Sequence, residues 1–131
     1  MRLYLVRHAE AAPGDPDELR PLTSEGRKQA RALGQRMRDE LTPPESILTS
    51  PLLRARETGD ELSRALDVEA EPDDRLSPGA TVDDVRAALS GRGDPVVVVG
   101  HQPDCSQVAA ALSGGPEPRF PAGSLVIVEF E

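Results

Sequence analysis

The sequence predicts an α/β fold: a three-layer α/β/α sandwich around a mostly parallel central sheet. Three observations predict it. The chain opens on a short apolar run, Leu3 to Val6, that stops abruptly at Arg7-His8. Val96 to Val99 are consecutive β-branched residues with no polar alternation, which reads as a strand buried on both faces. Between them, stretches with apolar residues at helical spacing alternate with short β-forming runs, the pattern that parallel strands joined by crossover helices produce.

Each element has its own signal. Leu3 to Val6 is too short for an independent helix and contains the β-formers Tyr4 and Val6, so it is the first strand. Ala11 to Pro21 is a polar loop containing Arg20. Thr23 or Ser24 can cap the next helix, whose buried face is Ala30, Leu33, Met37 and Leu41, with Gly34 on that face where it is expected to pack closely on the sheet. Pro43-Pro44 ends it. Ser46 to Thr49 is a second strand. Ser50 is expected to cap a helix with Pro51 at its first position, Arg54 in its first turn, and Ala55, Thr58, Leu62 and Ala65 facing inward. Val68 to Ala70 is read as a short third strand. Thr81 with Asp84 has the form of a capping box and opens a helix running through Leu89. Pro103 suits the start of a helix with a Cys105, Val108, Ala109, Leu112 stripe. Ser124 to Phe130 is the last strand, placed antiparallel on the edge.

Composition bounds the function. The 131 residues are expected to form one domain (1–131) with one core, built from Leu, Val and Ala because aromatics make up only 2%. The net charge of -8 argues against nucleic acid and anionic membrane surfaces as partners. No apolar stretch approaches a transmembrane span and the N-terminus lacks a signal-peptide pattern, so the cytoplasm is the expected compartment. The single cysteine, Cys105, excludes an internal disulfide and a cysteine-cluster metal site. It also has no arginine at the spacing a cysteine-dependent phosphatase loop requires, and reads as a small core residue.

The chemistry converges on strand ends. The chain has two histidines, His8 and His101, and each lies at the end of a predicted buried strand. In open α/β sheets, ligands bind beyond the carboxyl ends of the strands. Arg7 adjoins His8, and two loop-to-helix junctions supply Arg54 and Arg20. Taken singly, a strand-end histidine is more often structural than reactive, and a helix arginine is more often solvated. In combination, fixed cations beside an imidazole suit attack on a phosphoryl group by a neutral nucleophile. A metal site is not indicated, because the two histidines lack further ligands at convincing spacing.

Four segments, in order, carry a resemblance. Leu5-Val6-Arg7-His8-Ala9-Glu10 resembles the Arg-His signature of the histidine phosphatase superfamily, and Arg20-Pro21-Leu22-Thr23-Ser24-Glu25-Gly26-Arg27-Lys28-Gln29-Ala30 resembles the segment that follows it. Thr49-Ser50-Pro51-Leu52-Leu53-Arg54-Ala55-Arg56-Glu57-Thr58 resembles the helix with the second phosphate arginine. Val98-Val99-Gly100-His101-Gln102-Pro103 resembles the second-histidine motif. The length between the Arg54 region and His101 leaves no room for a cap, and with the Arg-Pro-Leu-Thr form it looks most like phosphohistidine phosphatases of the SixA type. The resemblance implies a phosphoglycerate mutase-like fold and a metal-independent phosphatase without cofactors. It casts His8 as nucleophile, Arg7, Arg54 and His101 as the phosphate cradle, and Arg20 as a further phosphate contact.

The implied partner is a phosphorylated protein or a small phosphorylated molecule, and a monomer is expected. Alternatives are a general phosphomonoesterase and, on weaker grounds, a non-catalytic phospho-ligand module. Where many members place a glutamate as general acid, this chain has Pro78; Asp73, Asp74, Asp83 or Asp84 could substitute. A missing acid favours an imidazole leaving group over an alkoxide, since the alkoxide needs a proton to depart. Activity is expected to fall below the pKa of His8, which for an unperturbed histidine is ~6.5.

Overall fold

The computed structural model describes residues 1–131. Nine elements follow one another: β1 (Arg2–Arg7), α1 (Ser24–Glu40), β2 (Ser46–Thr49), α2 (Leu53–Leu66), β3 (Ala70–Pro72), α3 (Val82–Leu89), β4 (Val96–Gly100), α4 (Asp104–Ser113) and β5 (Leu125–Glu129). The strands form one sheet in the order β3-β2-β4-β1-β5. The β3-β2, β2-β4 and β4-β1 pairs are parallel, and β5 closes the edge antiparallel to β1.

Strand alternation divides the core into two layers. Leu3, Leu5, Val96 and Val98 pack with Val85, Leu89, Val108 and Leu112 of α3 and α4. Tyr4, Val6, Val97 and Val99 pack on the opposite face with Leu33, Met37, Ala55 and Leu62 of α1 and α2. The three-layer expectation holds, and the Val96–Val99 run is buried throughout. Burying such a side chain stabilises by about 1.5–3 kcal/mol, and a one-residue slip would send each strand's side chains to the wrong layer. That fixes the register, and the register pairs Arg7 with Gly100.

Helix α1 leaves β1 on one face, whereas α4 leaves β4 on the other, and β1 and β4 are neighbours. Their shared carboxyl end is the switch point where an open α/β sheet presents a crevice.

Most of the local expectations hold. Thr23 caps α1, its side chain accepting from the Gly26 amide, and Thr81 and Asp84 form the reciprocal capping box of α3. The Cys105, Val108, Ala109, Leu112 stripe is buried. Others shift. The third strand is Ala70–Pro72 rather than Val68 to Ala70, because its pairing with Ile47 to Thr49 is met by Ala70 to Pro72. Gly34 packs against α2 rather than the sheet: a Cβ there would lie 2.8 Å from that of Ala65. Helix α2 begins at Leu53 with Leu52 as N-cap, which frees Ser50 for another task. Gly26 admits the chain at closest range, since a Cβ on it would overlap the Glu10 carbonyl. Helix α1 therefore lies directly against the segment that leaves β1.

Candidate active site

Three parallel strands end side by side, and hydrogen bonds carry the alignment past their last residues. The His8 amide donates to the Gly100 carbonyl at 3.0 Å, and the Ser50 amide donates to the Val99 carbonyl at 2.9 Å. Gly123, in the left-handed region at φ 72°, donates its amide to the carbonyls of both Arg7 and His8. His8, Ser50 and His101 are thereby brought to one place. The two imidazole centroids are 5.2 Å apart.

The tautomer of His8 follows from its partner. Its Nδ1 lies 2.7 Å from the Ala9 carbonyl oxygen, which can only accept. Nδ1 therefore carries the proton and Nε2 carries the lone pair. The Ala9 peptide is itself held, its amide donating to Thr58 Oγ1 at 3.0 Å, while that hydroxyl donates to the Arg54 carbonyl at 2.8 Å. Thr58 is fully buried. It thus ties the loop beside His8 to the helix that bears Arg54.

His101 is oriented from the other side. Its Nε2 lies 2.7 Å from Ser50 Oγ, and that oxygen also accepts the Leu52 amide at 3.2 Å. Ser50 Oγ can accept the Leu52 amide and donate to Nε2 at once, and in that arrangement the His101 proton sits on Nδ1. Nδ1 is buried and has no protein partner. The other buried side-chain nitrogen or oxygen without one is Arg7 Nε. Unpaired buried polar groups are costly and rare. Both of these lie in the cluster, as donors set for an anion.

The arginines are placed by carbonyls and one carboxylate. Arg7 Nη1 donates to the Phe120 carbonyl at 3.0 Å. That loop is braced by Gln102, whose side-chain amide donates to Ser106 Oγ, which in turn donates to the Pro118 carbonyl. Arg54 is 7% exposed and donates to the Asp17 backbone carbonyl at 2.9 Å and to its carboxylate at 3.2 Å. Arg20 donates to the Ala12 carbonyl at 2.8 Å and to the same carboxylate at 3.0 Å. A chain of net charge -8 thus gathers three guanidinium groups around two imidazoles.

These surroundings hold both imidazoles neutral. Burial pushes His8 down to about 4, with Arg54, Arg7 and Arg20 adding to the fall against the raising effect of the Ala9 carbonyl. Burial likewise brings His101 to about 4, with His8, Arg54 and Arg7 lowering it and Asp17 opposing them. The acid limb expected from an unperturbed histidine therefore moves downward. Both side chains are expected to keep their neutral NMR signatures from pH 8 to pH 5, since each is depressed to about 4. A midpoint near ~6.5 for either would contradict the burial argument. Because the folded state resists these protons, their contribution to stability is complete above ~6.5 and is lost as pH falls toward about 4.

The sequence-identified residues Arg7, His8, Arg54 and His101 come together, with Arg20 joined through Asp17. The substitutes for a general acid do not. Asp73 caps a 3-10 turn and pairs with Arg75, which holds its carboxyl below the usual range. The Thr81 amide and hydroxyl do the same to Asp84. Asp74 and Asp83 are exposed. Glu57 serves structure, accepting from the Leu22 amide and pairing with Arg27. Cys105 is buried and pushed up to about 12, as a core thiol should be. Sequence reasoning missed the positions of Asp17, Thr58 and Ser50 in this network.

Comparison with known proteins identifies the relatives of this chain. The sequence profile of the Histidine phosphatase superfamily (branch 1) matches residues 3–77. Phosphohistidine phosphatase SixA of Escherichia coli strain K12 is 32% identical over 125 residues, covering 90% of this chain and 78% of that protein. The SixA homolog of Haemophilus influenzae is 32% identical over 132 residues, covering 90% and 80%. The structure of the protein histidine phosphatase SixA complexed with tungstate superimposes with a TM-score of 0.88 at 29% identity, covering 97% of this chain and 86% of that one. No helix is long and apolar enough to cross a membrane.

Proposed function

The chain belongs to the histidine phosphatase superfamily, and from that premise we propose that it hydrolyses phosphohistidine on proteins through a phosphohistidine intermediate on His8. The observation that carries this reading is the fixed tautomer of His8. Its Nδ1–H is spent on the Ala9 carbonyl, so a neutral Nε2 lone pair stands beside two buried donors without protein partners, Arg7 Nε and His101 Nδ1. Nε2 attacks phosphorus and the bond to the substrate imidazole breaks with its electron pair on that nitrogen, while Arg7, Arg54 and His101 stabilise charge on the phosphoryl oxygens. Water then attacks the phosphorus, the P–N bond breaks back onto Nε2, and the water proton leaves with phosphate. The guanidinium groups perform the neutralisation that other phosphatases assign to a metal.

Two features support phosphohistidine as substrate. Between α2 and α3 the chain holds only β3 and a 3-10 turn, which leaves the site open to a folded protein. The candidate acids Asp73 and Asp84 are instead held ionised by Arg75 and by Thr81. An imidazole leaves without strong acid assistance, whereas an alkoxide does not. The similarity to SixA proteins points the same way.

The test is release of phosphate from a phosphohistidine-bearing protein against a panel of sugar and serine phosphates, each with chelator present. Release from the phosphohistidine protein, unaffected by chelator, is expected. Turnover confined to the monoesters would replace this reading with a general phosphomonoesterase, and abolition by chelator would end the metal-independent mechanism.

A further inference from the structure

We propose that Asp17 is a specificity-determining residue, whose carboxylate favours phosphoryl groups carried on a protonated nitrogen over those carried on oxygen. This rests on the phosphatase reading above and extends it to the leaving group.

Asp17 is the one carboxylate hydrogen-bonded to any of Arg7, His8, Arg54 or His101. Its two oxygens bridge Arg20 and Arg54. Its side chain is 60% exposed, against 9% for that of Arg54, so it stands on the solvent side of the guanidinium. In-line attack from His8 sends the leaving group out on the side of the phosphorus opposite Nε2. An acid role is closed to it, since hydrogen bonds from Arg20 and Arg54 hold its carboxyl below the usual range.

A fixed negative charge at the rim acts on substrates in opposite directions. When the phosphoryl group sits on an imidazolium nitrogen, the ring is cationic on arrival. In the first step the Nε2 lone pair of His8 forms the new P–N bond. The old P–N bond breaks with its electron pair on the departing nitrogen, and a neutral imidazole leaves. Until that bond is broken the departing ring shares the positive charge, and Asp17 stabilises it. An oxygen ester offers no such cation at any stage, so the carboxylate only opposes the approaching dianion.

The experiment compares the wild-type chain with Asp17→Asn. Asparagine retains a side-chain oxygen, and the backbone carbonyl that takes Arg54 Nη1 is unaffected, so Arg54 stays anchored. The ratio of kcat/KM for a phosphohistidine peptide to that for phenyl phosphate is expected to fall about two- to fivefold, the size of effect an exposed charge has on a nearby one. Binding of inorganic phosphate is expected to tighten by a similar factor, and Asp17→Glu should restore the ratio. Equal loss on both substrates, or no change in the ratio, would overturn the proposal and leave Asp17 a structural brace. Failure of the phosphohistidine reading is seen separately, as wild-type inactivity on the phosphohistidine peptide, and the inference would fall with it.

Discussion

Replacing His8 with alanine is expected to lower turnover by at least ~10⁴-fold, the scale on which removal of a covalent nucleophile acts. The loss should fall on kcat, because the cradle donors from Arg7, Arg54 and His101 remain to bind the phosphoryl group. The variant should also fold. The His8 side chain makes one hydrogen bond, to the adjacent Ala9 carbonyl, and the Ala9 amide stays anchored on Thr58. The second imidazole provides a check, since the chain has only two histidines and the His101 resonance should persist. Rapid quenching with labelled substrate separates chemistry from binding. The wild-type protein should trap label as an acid-labile, alkali-stable phosphoramidate, and the alanine variant should trap none. A labelled intermediate surviving the substitution would assign the nucleophile elsewhere.

That prediction was available from the sequence because the site is built on strand ends. A buried β-branched run identifies its strand without any tertiary information, and the residue after it must lie at the sheet's carboxyl edge. Arg7-His8 and Gly100-His101 were legible for this reason, as was Arg54 in the first turn of a helix that follows another strand. Asp17 was not. It lies in a polar loop where a carboxylate carries no pattern, and its partner Arg54 is 37 residues away. Ser50 was visible but assigned to a helix cap, since Ser-Pro before an amphipathic run is ordinarily that. Only the parallel pairing of β2 with β4 shows that the serine faces His101 instead. Thr58 was assigned to an inward face, correctly, yet its hydroxyl matters because the Ala9 amide arrives there from 49 residues away.

The same contrast explains the general acid. Sequence can register that a glutamate is missing and that aspartates lie nearby. It cannot register that Asp73 is spent on Arg75, although the Thr81 capping box that occupies Asp84 was legible. In the structure the carboxylate nearest the cradle, Asp17, is held by two arginines and so stays ionised. The site holds charge in place rather than moving protons through a carboxyl group. That suits a phosphoryl donor whose leaving atom brings its own positive charge.

Arg54 is where those charges meet, and Arg54→Ala is expected to reduce kcat/KM by about 10²–10³-fold, the cost of deleting a donor aimed at developing transition-state charge. Two losses combine. The phosphoryl group loses a nearly buried guanidinium, and Asp17 loses one of its two cations, leaving its carboxylate less compensated beside the site. Arg54→Lys separates them. Lysine returns the charge but not the planar fork that donates to both the carbonyl and the carboxylate of Asp17. Partial recovery, on the order of tenfold over alanine, is expected. The nucleophile should keep its place in both variants, because Thr58 binds the backbone carbonyl of Arg54 and not its side chain. His8 should therefore retain its neutral NMR signature at pH 7, and the phosphoenzyme should still form, only more slowly. Full activity in the alanine variant would remove Arg54 from the cradle, and a displaced His8 signature would make its role one of folding.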